Sequence, residues 1–84
     1  MSMDGSRWSQ RPDVLERDFE FDDFAAAMAF VNRVAEEAEE ANHHPDIFVH
    51  GRNKVRLTLS THSEGGLTAA DHALARRIDE AIGG

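Results

Sequence analysis

Five histidines fall within 84 residues, and three of them stand where chemistry can be done. His43 and His44 are adjacent and immediately precede Pro45, and His62 follows the run Thr58-Leu-Ser-Thr61. An imidazole titrates near neutral pH, so it can give or take a proton as a general acid or base. Glu39 and Glu40 precede the pair by four residues, the helical spacing for side-chain contact. A carboxylate at that spacing and a helix C-terminus both favour the imidazolium, which predicts raised histidine pKa values and a proton held ready for donation. The bland reading stays open beside this one, since histidines often serve helix ends as dipole partners or hydrogen-bond a strand-end carbonyl. A metal site is the rival chemical reading, because imidazole binds zinc. Adjacent histidines on a regular helix point about 100° apart, however, and would need a bend to grip one ion. His72 falls in a helix first turn and reads as solvated.

The elements that must carry these residues are legible in the hydrophobic pattern. Residues 1–13 are polar and irregular, with Trp8 as their one strong anchor. Leu15, Phe19 and Phe21 then alternate with Glu16, Asp18 and Glu20, and period two predicts a half-buried strand over about 14–21. Asp22-Asp23 caps a helix whose apolar stripe is Phe24, Ala27, Met28, Val31, Val34/Ala35 and Ala38. It ends near Asn42, because the residue before Pro45 is pushed out of the α region. Ile47–Val49 and Val55–Thr61 form a hairpin turned at His50-Gly-Arg-Asn53. Thr68 with Asp71 resembles a capping box opening a last helix to about Ile82, with Leu74, Ile78 and Ala81/Ile82 inward. The order strand, helix, strand, strand, helix gives an α+β domain over 14–84, an antiparallel sheet with two helices on one face.

Composition narrows the function classes. Nine Lys+Arg against 16 Asp+Glu leave a net charge of −7, which repels a polyanion such as DNA or an acidic membrane. There is no cysteine, so disulfides and thiolate metal sites are excluded. The longest apolar run, Phe24 to Val31, is too short to span a bilayer, and Met1–Ser6 has no apolar leader, so the expected location is cytoplasmic. A chain this small buries roughly 60–65% of its unfolded surface, and Phe24, Met28, Phe30 and Val31 offer more apolar surface than one sheet face needs. A dimer or tetramer is expected.

The string Glu39-Glu-Ala-Asn42-His43-His44-Pro45, then Asn53-Lys54-Val55, Thr58-Leu-Ser-Thr-His62 and Gly65-Gly66-Leu67-Thr68 with Asp71, resembles the pterin-4a-carbinolamine dehydratases. The likeness runs from about Trp8 to Ile82. It implies a four-stranded antiparallel sheet with helices on one side, and homodimers or homotetramers. It also implies dehydration of a 4a-hydroxytetrahydropterin to quinonoid dihydropterin without metal or organic cofactor. By the same resemblance His43, His44 and His62 are the catalytic residues. Glu39, Pro45, Thr61, Ser63 and Asp71 fall where the substrate is held, although Asp71 also has the simpler reading of a helix cap. Arg52 stands where members commonly carry an aromatic residue, the hairpin is one residue longer, and with seven residues ahead of Trp8 the family's leading helix is not expected in this sequence. Relatives on this fold that act as RuBisCO assembly factors or dimerisation cofactors supply the alternative, a module that binds a protein.

Overall fold

The computed structural model describes residues 8–11, 14–61 and 66–82. Its elements are β1 (Ser9–Arg11), β2 (Val14–Glu20), α1 (Phe24–Ala41), β3 (Asp46–His50), β4 (Lys54–Leu59) and α2 (Ala69–Ala81). The strands form one antiparallel sheet in the order β1-β2-β4-β3. Among the described residues no helix is long and apolar enough to cross a membrane. The expected α+β architecture is present, and its fourth strand comes from Ser9–Arg11, inside the stretch read as an irregular lead-in. Three polar residues carry no periodic signal; the register Ser9↔Glu16 to Arg11↔Val14 holds them against β2.

Both helix starts follow their sequence signals. The Asp23 carboxylate accepts from Ala26 N at 2.8 Å, while Thr68 and Asp71 close a reciprocal capping box on α2. α1 ends at Asn42, whose left-handed φ of 52° lets the Asn42 and His43 amides bond back to the last turn. The chain therefore leaves the helix at once, and Pro45 delivers it into β3.

The core is Leu15, Phe19, Val55, Leu57 and Leu59 of the sheet against Ala27, Phe30, Val34, Leu74, Ala75 and Ile78 of the helices. The buried side of α1 is rotated from the expected stripe. Phe30 is buried with its ring 4.6 Å from that of Phe19 and 5.0 Å from that of Phe21, while Phe24 is exposed. The aromatic pair of Phe19 on β2 and Phe21 just past its end selects the ring that can meet it, and α1 turns accordingly. On α2, Leu74 and Ile78 are buried as expected, but Ile82 is exposed because the helix has already ended. The sheet face away from the helices carries a charged mosaic in which Arg56 grips Asp18 at 2.7 Å.

Candidate active site

The αL turn at Asn42 decides where both histidines point. On a continuing helix Glu39 would meet His43; in the structure the chain swings away, and Glu39 Oε2 instead lies 2.6 Å from His44 Nε2. This pair is open to solvent on both sides, with side-chain exposures of 59% and 75%.

His43 turns inward. Its Nε2 lies 2.5 Å from Oδ1 of Asp71, in the first turn of α2, and only 16% of the imidazole is exposed. Asp71 is fully buried. Its other oxygen accepts from Thr61 Oγ1 at 2.6 Å and from Thr68 N at 3.0 Å. Thr61 and Thr68 hydroxyls are themselves 3.1 Å apart, and Thr61 and Gly66 exchange backbone hydrogen bonds at 3.0 and 3.1 Å. One carboxylate thus ties the end of α1, the segment after β4 and the start of α2 together.

Burial by itself would push the Asp71 carboxyl up, but the hydrogen bonds from Thr61, His43 and the Thr68 amide together outweigh it and hold the pKa below the ordinary 3.8. At neutral pH Asp71 is therefore an anion with no proton to give. The hydrogen in the His43–Asp71 contact belongs to His43 Nε2, which leaves Nδ1 as the nitrogen free to exchange a proton or hold a substrate atom. A buried carboxylate that fixes the tautomer and attitude of an imidazole is a recurrent way of preparing it for chemistry.

The expected site residues divide as follows. His43, His44, Glu39, Pro45, Thr61 and Asp71 cluster at the end of the sheet where β3 begins and β4 finishes. His62 and Ser63 lie outside the described residues. Asp71, expected against the substrate, is fully buried, with its two oxygens engaged by His43 Nε2, the Thr61 hydroxyl and the Thr68 amide. Thr61 likewise spends its hydroxyl on Asp71 and Thr68. Arg52 sits at the opposite end of β3 within its own chain, in the hairpin turn. The Thr-x-x-Asp spacing announced the cap; nothing in the spacing announced its bond to a histidine 28 positions earlier.

Known proteins resemble this chain over most of its length. The family model for pterin 4 alpha carbinolamine dehydratase matches residues 2–81. A Thermomicrobium roseum protein provisionally named as a pterin-4-alpha-carbinolamine dehydratase is 55% identical over 87% of this chain and 77% of its own length. A Gloeobacter violaceus protein of the same provisional name is 61% identical over 77% of this chain and 70% of its own. Among solved structures, a transcriptional coactivator/pterin dehydratase from Brucella melitensis superposes with a TM-score of 0.82 at 39% identity, covering 93% of this chain and 83% of that one. A pterin dehydratase-like RuBisCO assembly factor of the alpha-carboxysome gives 0.69 at 32% identity, over 88% and 84% of the two chains.

Proposed function

The chain belongs to the pterin-4a-carbinolamine dehydratase family, and we propose that it performs that hydro-lyase reaction by proton transfer at the His43–His44 corner. The observation that carries this reading is that both imidazoles have Nε2 held by a carboxylate, His43 by buried Asp71 and His44 by Glu39. The substrate is a 4a-hydroxytetrahydropterin. Its C4a–O bond breaks as the hydroxyl takes a proton and leaves as water; the ring nitrogen beside C4a gives up a proton, and its electron pair forms the new C=N bond of the quinonoid dihydropterin. The balance needs one acid and one base and no oxidant. His44, which is exposed, and His62 exchange these protons, while His43, clamped from behind, orients the ring. Support for including His62 is that Thr61, its chain neighbour, shares Asp71 with His43. Pro45 and Ser63 complete the walls, and the working form is a homodimer or homotetramer.

Enzymatically generated 4a-hydroxytetrahydropterin provides the test. The wild-type chain is expected to speed appearance of the quinonoid product, and His44→Ala to slow that rate on the order of 10²-fold or more, the usual contribution of one positioned acid or base. No acceleration by the wild-type chain would reject the reading and favour a module that binds a protein.

A further inference from the structure

The carboxylate that completes the capping box of α2 is also the one that holds His43. Asp71 Oδ2 accepts from the N-cap amide of Thr68 at 3.0 Å, and Oδ1 meets His43 Nε2. A capping carboxylate ordinarily ends its work at the helix terminus, where the dipole favours an anion. This one is fully buried, and a buried anion is held only as firmly as its donors hold it. Two threonine hydroxyls decide how firmly. Backbone hydrogen bonds between Thr61 and Gly66 bring Thr61 and Thr68 face to face seven positions apart, and Gly66 permits the bend with a φ of 145°.

The direction of each bond follows from counting protons. Asp71 is an anion and can only accept, so the Thr61 hydroxyl proton points at Oδ2, 2.6 Å away. Thr61 Oγ1 has then spent its one proton, and in its 3.1 Å contact with Thr68 Oγ1 it must be the acceptor. Thr68 is the donor there, and its own oxygen accepts from Ala70 N at 3.3 Å. The protons all run one way, from the Ala70 amide to Thr68, from Thr68 to Thr61 and from Thr61 to Asp71. Successive bonds of one sense polarise each other and strengthen the last. Against the burial that pushes the Asp71 carboxyl up, the Thr61 hydroxyl is the largest opposing hydrogen bond, ahead of His43 and the Thr68 amide. With both donors fixed on Oδ2, the other oxygen stays aimed at His43. We propose that Thr61 and Thr68 are positioning residues of the dehydratase site: their hydroxyls act in series through Asp71 to hold the His43 imidazole in one tautomer and one attitude. Neither hydroxyl needs to touch the substrate. The proposal rests on the reading of His43 as part of the site, but its hydrogen-bond chain is testable with no substrate present.

Thr61→Val keeps the shape of the side chain and removes its donor, whereas Thr61→Ser keeps the donor. Exchange of the His43 Nε2 proton with water can be followed by nitrogen-resolved NMR of the imidazole rings. It is expected to quicken roughly tenfold in Thr61→Val, the weight of one charge-assisted hydrogen bond, and to stay near the wild-type rate in Thr61→Ser. The kcat/KM for 4a-hydroxytetrahydropterin should fall by a similar factor in the valine variant and recover in the serine one. Thr68→Gly retains the amide and, glycine being nearly as good an N-cap as threonine, most of the helix start. It should quicken exchange and reduce kcat/KM about threefold, as for the loss of a neutral hydrogen bond, and it carries the test where Thr61→Val does not fold. In the double variant Thr68→Gly should add nothing to Thr61→Val, because Thr68 acts only through Thr61. An unchanged exchange rate in the folded variants, a serine variant as impaired as the valine one, or effects that multiply in the double variant overturns the proposal. Exchange that quickens as described in a chain with no dehydratase activity would leave the hydrogen-bond chain standing and reject the function.

Discussion

At the scale of single residues the corner turns on Asp71, and its environment makes a prediction about pH. Its folded pKa lies below the ordinary 3.8, so the stability it contributes is present above that value and is lost as pH falls through the lowered one. Asp71→Asn is expected to cost about 1–3 kcal/mol at neutral pH, because a hydrogen-bonded charge is replaced by an amide whose NH2 meets donors. The variant should also lose Asp71's own share of the wild-type slope of stability below about pH 4, read by urea unfolding at a series of pH values. Its turnover is expected to fall further than its stability, since His43 loses the partner that fixes its tautomer. Glu39→Gln is the contrast. With 75% of the carboxylate exposed, its stability effect should stay within about 0.5 kcal/mol in the same titration. The histidine pair and its acidic neighbour were legible because they sit a turn apart in sequence. Which carboxylate each imidazole takes was not, because one αL residue at Asn42 redirects the chain and Asp71 arrives from 28 positions away.

At the scale of elements, period predicted existence and tertiary partners set rotation. β2 reads as an alternating strand, yet its core face runs Leu15, Arg17, Phe19, with a cation where a hydrophobe is expected. α1 reads as amphipathic, yet the ring it buries is Phe30, the one that meets Phe19 and Phe21. The rotation has a measurable consequence. Phe30→Ala should cost about 3–5 kcal/mol and leave little folded population, whereas Phe24→Ala should cost below about 1 kcal/mol, both by chemical denaturation. The hairpin offers a second test. Asn53 ties the turn to the end of β2 through Nδ2 to Phe21 O at 2.9 Å and an amide bond from Phe21 N to its own carbonyl, also 2.9 Å. Arg52 beside it is the strained position, and asparagine tolerates left-handed backbone better. Arg52→Asn is therefore expected to raise stability by roughly 0.5 kcal/mol, seen as a higher melting temperature.

At the scale of the whole molecule, the first described segment and the last helix are fastened to each other, and this the sequence concealed almost entirely. Trp8 was legible as an anchor from its type alone; what it anchors to was not, since Asp79 lies 71 positions away. The indole Nε1–H reaches both Asp79 oxygens, at 3.0 and 3.3 Å. The Arg17 guanidinium donates to the same carboxylate at 2.6 Å while lying 4.4 Å from the centre of the Phe19 ring, against which Trp8 also packs edge-on. Arg17 therefore crosses the core face of the sheet with only 12% of its side chain exposed, and it is accommodated there because Asp79 meets it on α2. Removing the acid is worse than removing both charges, since a half-buried cation without its partner keeps its desolvation cost. Asp79→Ala is thus expected to lower stability by about 2–3 kcal/mol, and Asp79→Ala combined with Arg17→Met by less than that single change. The same unfolding curves followed through Trp8 fluorescence give the position of the clasp directly: emission should shift to the red in the folded baseline of Asp79→Ala, as β1 loosens from α2 before the rest of the sheet gives way. The His43–Asp71 corner lies nearer the other end of α2, so turnover at a temperature well below the melting point should change little in this variant, which separates a fastening that holds the fold from one that prepares the chemistry.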